Sequence, residues 1–171
     1  MATHRISILG PNTALEAGVA YDLVGAYITA TNEVGNQLSM VLADGGSDIG
    51  FYGDFEVPQN YVGSAAIIVK GILDGSPGSS DTLGFAVKGL AIADNEASDQ
   101  AYSSEDTASA TIGSSGGSYS DEDIYEDSIT LSNFSFSVGD RALFYFYLDT
   151  SGTSYTGNFL LLDVMLEYAD A

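Results

Sequence analysis

An all-β fold, built as a two-sheet antiparallel β-sandwich, is what this 171-residue chain predicts. Three observations carry the prediction. Apolar residues recur at every second position in several segments, the period of a strand with one wet and one dry face. Clusters of Gly, Asp, Ser and Pro separate those segments at turn-like spacing. No segment sustains the 3.6-residue apolar period of a helix.

The elements follow in chain order. Ile6-Ser7-Ile8-Leu9 is a short extended segment ahead of Gly10-Pro11, so residues 1–12 read as an extended N-terminal arm and 13–171 as one sandwich domain. Ala26–Ala30 and Gln37–Leu42 are weaker strands. Ile49–Val57 is the cleanest: Ile49, Phe51, Phe55 and Val57 share one face, Tyr52, Asp54 and Glu56 the other, and Pro58 ends it for want of an N–H. Ala66–Leu73 leads to the turn Asp74-Gly75-Ser76-Pro77-Gly78, and Leu83–Ile92 contains glycines that suggest a bulge or close packing.

From Ser98 to Asp127 serine, glycine and acidic residues dominate, interrupted by Ala108–Ile112. This reads as a long acidic, Ser/Gly-rich loop near 94–127, with a short helical turn between Asn95 and Ser103 capped by Asp94 or Asn95. Ile129–Leu131 and Phe134–Val138 predict a strand with a bulge or kink at the three-residue step between Leu131 and Phe134. In Arg141–Leu148, Phe144, Phe146 and Leu148 lie opposite Tyr145 and Tyr147. The last strand, Gly157–Tyr168, puts Leu160, Leu162, Val164, Leu166 and Tyr168 on one face. Its other face starts with Phe159 and Leu161 and turns acidic at Asp163 and Glu167, so the strand is central or covered by a partner.

Charge narrows the function. Twenty-four acidic residues against four basic ones give a formal charge of -20. Nucleic acid and anionic membrane are poor partners for such a surface, because both need lysines and arginines. Zero cysteine removes disulfides, thiolate zinc sites and thiol nucleophiles. The amino terminus lacks the apolar run of a signal peptide, and no stretch approaches the ~20 apolar residues of a membrane span. The expectation is a soluble protein made in a cytoplasm.

Catalysis has few residues to work with. His4 is the only histidine. Asp54 and Glu56 share a strand face, but alternating carboxylates are ordinary in so acidic a chain. No enzyme activity is expected. In the run Asp121–Asp127, the carboxylates of Asp121, Asp123, Glu126 and Asp127 are the candidate ligands for calcium, the one cofactor considered. The spacing fits no EF-hand loop, and a solvated acidic loop is the ordinary explanation. Eleven tyrosines and eight phenylalanines suit interfaces, where a tyrosine offers an apolar body and a polar tip. Tyr52, Tyr145 and Tyr147 fall on outward faces, where sugar stacking is the alternative use. The interface candidates are Ile6, Ile8, Leu9, Tyr145, Tyr147, Phe159 and Leu161.

Phe55-Glu56-Val57-Pro58-Gln59-Asn60-Tyr61-Val62-Gly63 precedes an apolar strand, Val138-Gly139-Asp140-Arg141 precedes the aromatic one, and Leu148-Asp149-Thr150 and Leu166–Asp170 follow. In these elements and their order the chain, over residues 49–171, resembles small jelly-roll structural proteins of tailed bacteriophages, especially those of aquatic hosts. The resemblance implies a jelly-roll sandwich on the virion surface, a capsid decoration or cement subunit, often trimeric, bound to the major capsid protein or another virion protein. It transfers no catalytic residue. Two other readings stand beside it: a carbohydrate-binding adhesion module, calcium-dependent or not, and a tail or filament subunit. In the first reading, the N-terminal arm is a strand that pairs with a partner.

Overall fold

The computed structural model describes residues 2–9, 14–15, 40–43, 48–97 and 100–170. They form ten strands and, among the described residues, no helix: β1 (Thr3–Ser7), β2 (Ala14–Leu15), β3 (Met40–Ala43), β4 (Ile49–Glu56), β5 (Tyr61–Asp74), β6 (Thr82–Ile92), β7 (Asp106–Thr111), β8 (Ile124–Thr130), β9 (Arg141–Leu148) and β10 (Asn158–Asp170). The first sheet runs β1-β10-β5-β8, with β3 also on β10; the second runs β2-β4-β9-β6-β7. All pairings are antiparallel. The fold is a β-sandwich.

Four of those pairings nest. β6 pairs with β7, β5 with β8, β4 with β9 and β3 with β10. The chain from β3 to β10 is thus one long hairpin whose rungs alternate between the two sheets. β1 lies beside β10 from Thr3↔Ala169 to Ser7↔Met165, and β3 beside Asn158–Leu161, while β5 holds the opposite edge of β10. β1 and β3 therefore share one edge.

Alternation explains which residues enter the core. In β4, Phe51 and Phe55 point inward, followed by Val57; in β9, Ala142, Phe144, Phe146 and Leu148 do. The inner faces join through ring contacts such as Phe85–Phe159 at 5.0 Å, and Phe136, from the segment between β8 and β9, meets Phe55 edge-to-face at 5.6 Å. Each buried phenylalanine contributes about 1.5–3 kcal/mol of transfer free energy. Three strand glycines make room for these rings. A Cβ on Gly53 would meet Phe144 at 2.5 Å, one on Gly71 would meet Phe159 at 2.3 Å, and one on Gly89 would meet Phe134 at 2.2 Å.

Several expectations need correction. The face assignment of the last strand fails at a bulge: β5 pairs Gly71 with Leu161 and Lys70 with Asp163, so Leu162 is the extra residue. The bulge moves Phe159 and Leu161 onto the core face with Val164, Leu166 and Tyr168. The acidic 94–127 segment is not one loop. It contains β7, which closes the second sheet, and the start of β8. The strand expected over Phe134–Val138 is absent; the chain there bends, and Phe134 and Phe136 are buried. Asp94 and Asn95 form a turn rather than a helix cap, and Asn95 takes a positive φ of 68°. The strand expected at Ala26–Ala30 lies outside the described residues.

Candidate functional site

The outer face of the second sheet brings together Tyr52, Tyr145 and Tyr147. Gly50 pairs with Tyr147 and Tyr52 with Tyr145, while Tyr145 faces Lys88 of β6 and Tyr147 faces Ala86. The two-residue alternation that sends Phe144 and Phe146 inward sends Tyr145 and Tyr147 outward. Tyr52 stacks on Tyr145 at 4.6 Å and 26°, and Tyr145 stacks on Tyr147 at 4.8 Å and 21°. The result is a bent ladder of three rings across β4 and β9.

Its two ends differ. At one end Tyr147 is buried. Lys88 Nζ sits 5.6 Å from the centre of its ring and 2.9 Å from Glu105 Oε1. Burial, then a hydrogen bond from the Tyr147 hydroxyl to Glu105, then the charges of Glu105, Asp48 and Asp149 push the phenol well above its ordinary range. The same contacts, the Lys88 hydrogen bond first, hold the Glu105 carboxyl below the usual carboxylate range. At the other end the ladder is open: Tyr52 is 37% exposed. The Ser103 N–H donates to Gly89 O at 2.8 Å and the Gly89 N–H to Ser103 Oγ at 3.1 Å, which ties the segment before β7 to the edge of β6. Tyr102, on the same segment, is 39% exposed. Partial burial and then the proximity of Tyr52 raise its pKa.

This geometry bears on what the face can bind. A sugar stacks on an open aromatic face. Inside the ladder each ring's face is turned to its neighbour, so the ladder offers ring edges and hydroxyl groups along most of its length. Such a surface suits a protein contact, which uses an apolar body with a polar rim.

The four carboxylates proposed for calcium do not converge. Asp121 Oδ1 accepts the Gly75 N–H at 2.7 Å, Asp123 Oδ2 accepts the Ser120 N–H at 2.7 Å, and Glu126 pairs with Arg5 at 2.8 Å. Asp127 accepts the Tyr125 hydroxyl and the Ser128 N–H. The run straddles a turn and the start of β8, so successive side chains leave in different directions. Among the described residues, no three histidine or acidic side chains gather as a metal ligand set.

Six of the seven interface candidates have work inside this chain. Ile8, Phe159 and Leu161 are core residues, Ile6 and Leu9 pack against the core, and Tyr147 is buried under Lys88. Their apolar character is explained by intrachain packing, which corrects the expectation that they face a partner. Tyr145, half-buried in the ladder, keeps an outward edge. Residues 3–7, expected in a free arm, form an edge strand on β10 of the same chain.

Sequence reasoning passed over three residues that organise these faces. Glu105 and Tyr102 lay in the acidic segment read as loop, and only the outward position of Lys88 hinted at an acidic partner. Asp106, 3% exposed, is the one buried charged side chain among the described residues. Nothing in its local sequence distinguishes it from neighbouring acids. No family model matches this chain, and neither does any curated protein.

Proposed function

We propose that the chain is a non-enzymatic virion structural protein of jelly-roll type, a decoration or cement subunit that covers a phage head by protein–protein contact. The observation that carries the reading is the nested hairpin from β3 to β10, wound so that its rungs alternate between two sheets. That path supports the jelly-roll architecture implied by the sequence resemblance. The polar side chains that the fold brings together support a binding role over catalysis. Arg5, Lys88, Arg141 and Asp106 each hold strands or turns in place. The tyrosine ladder supplies an outer face suited to a subunit or shell contact, and symmetric association as a trimer follows the same reading.

Immunogold labelling of phage particles purified from a host lysate tests this. Gold on intact heads, with a trimer by light scattering of the purified chain, is the expected result. Label absent from particles overturns the virion reading, and label on tails alone overturns the head assignment. An open-ended polymer in light scattering points to a filament subunit. Retention on a glycan array that is lost with Tyr52→Ala points to an adhesion module.

A further inference from the structure

We propose that Tyr52 and Tyr145 are a site of oxidative modification, a phenol pair that a one-electron oxidant such as a haem peroxidase with hydrogen peroxide joins into a dityrosine staple between β4 and β9. The inference goes beyond the virion reading and does not rest on it.

Geometry sets this pair apart. Tyr52 and Tyr145 are direct partners in the β4–β9 register, and their rings lie 4.6 Å apart at 26°. Strand side chains stand roughly perpendicular to the sheet, so the two rings rise side by side from one face. Turning each ring about its Cβ–Cγ bond exchanges face-to-face stacking for edge-to-edge contact, which brings together the carbons beside the two hydroxyl groups. Ring centres in a biaryl are only slightly closer than 4.6 Å, so the strands need little movement. Three other tyrosine pairs have ring contacts among the described residues, and each lacks a requirement. Tyr147, beside Tyr145 at 4.8 Å, is buried with Lys88 over its ring. Tyr119 meets Tyr125 edge-on at 5.2 Å, but Tyr125 is buried and its hydroxyl donates to Asp127. Tyr61 and Tyr168 stand 6.3 Å apart, and Tyr168 is buried. Tyr52 is exposed to an oxidant in solution.

Composition and charge favour the same product. The chain has no cysteine and no tryptophan, so no thiol or indole of its own reduces a phenoxyl radical on Tyr52. Each phenol gives up one electron and one proton, and the two radicals couple through their ortho carbons into one carbon–carbon bond. The hydrogens on those carbons then move as protons to the oxygens, which restores both hydroxyl groups. Hydrogen peroxide takes up the two electrons and two protons and becomes two waters, so the protein loses two hydrogen atoms. Bodies at -20 repel each other, which disfavours coupling between copies, whereas a pair held in contact reacts as one molecule. In a chain without disulfides the link would restrict the unfolded state as a disulfide does, by closing the long stretch between β4 and β9.

The test is treatment of the folded chain with a haem peroxidase and hydrogen peroxide, followed by proteolysis and mass spectrometry. The expected product is a Tyr52 peptide joined to a Tyr145 peptide, two hydrogen atoms lighter than their sum, with dityrosine fluorescence. It should form in chains that still run as monomers on a denaturing gel, at a yield unchanged by diluting the protein. Tyr52→Phe and, separately, Tyr145→Phe should abolish it, while Tyr102→Phe and Tyr147→Phe leave it in place. Circular dichroism confirms that each variant is folded. The stapled chain should also unfold at a higher urea concentration than the untreated one. Overturning results are absence of the Tyr52–Tyr145 product from the folded parent, an equal yield of it from the chain unfolded in urea, a yield that falls on dilution, or equal joining of Tyr119 to Tyr125 or of Tyr61 to Tyr168.

Discussion

The Asp106 carboxylate accepts the backbone N–H of Phe134 at 2.9 Å, and the Phe134 ring it thereby positions lies directly on Gly89. Asp106 also accepts the N–H groups of Ser132 and Asn133 and the Ser132 hydroxyl. One buried side chain therefore satisfies a whole turn between β8 and β9 and sets an aromatic ring into the core. Burial opposes its ionisation, yet these hydrogen bonds outweigh burial and hold the carboxyl below its ordinary value of 3.8.

That balance predicts a mutational and a pH effect together. Asp106→Asn removes acceptors from a buried set of donors and should cost about 2–3 kcal/mol at pH 7. Because the folded pKa is depressed, the carboxylate's contribution is fully present above the unfolded value. It is lost as pH falls through the folded one. The difference between parent and variant should therefore shrink on moving from neutral pH to below about 3.8, measured by urea unfolding. A difference that stays constant across that window would show that charge on Asp106 is not what organises the turn.

The Phe134–Gly89 contact makes its own prediction. Gly89→Ala puts a methyl group 2.2 Å from ring carbons that Asp106 prevents from moving aside. Overpacking of this kind costs about 1–3 kcal/mol. The double variant Gly89→Ala with Phe134→Leu should recover part of that loss in thermal unfolding, whereas two independent defects would add.

These two residues also mark the limit of what the sequence discloses. Alternation reads the faces of β4 and β9 correctly, because Phe51, Phe55, Phe144 and Phe146 follow the two-residue period without interruption. It fails in β10, where the bulge at Leu162 shifts the phase, and a bulge has no side-chain signature of its own. It fails again in β7, whose Asp-Thr-Ala-Ser-Ala-Thr is too small and polar to announce a strand. Outward parity places Tyr52 and Tyr145 on the same kind of face, while their stacking follows from the β4–β9 register, which parity alone does not fix. The Lys88–Glu105 clamp was not legible either, since it depends on a pairing with the edge of β6 across a segment that looks like loop.

The N-terminal strand should respond to salt more than its neighbours do. The side chains of Arg5, His4 and Ser7 and the Ala2 N–H all contact carboxylates: Glu167 and Glu126, Asp170, Asp163 and Asp170 respectively. Arg5 reaches from β1 to Glu126 on β8, two strands beyond its neighbour β10. Exposed ion pairs weaken when the screening length falls to about 3 Å near 1 M salt. Hydrogen exchange at fixed pH should then accelerate severalfold at residues 3–8, with β9 unchanged, and Arg5→Gln should mimic the effect in low salt. Equal protection of β1 at both salt concentrations would mean that Ile6 and Ile8 alone hold the strand.

Alkali should unfold the sandwich through its buried phenols. Burial first, then the charges of Asp74, Asp121 and Asp81, push Tyr155 up to about 12. Burial and a hydrogen bond to Asp127 raise Tyr125 further, and Tyr147 is raised in the same way through Glu105. A phenol whose folded pKa is raised contributes stability that is intact below the unfolded value near 10. That stability is lost as pH climbs towards the folded one. Spectrophotometric titration with near-ultraviolet dichroism should show that Tyr125, Tyr147 and Tyr155 do not ionise while the chain stays folded. These rings should ionise only together with the loss of that dichroism. All eleven tyrosines titrating in one reversible step on a folded chain would contradict the burial of Tyr125, Tyr147 and Tyr155.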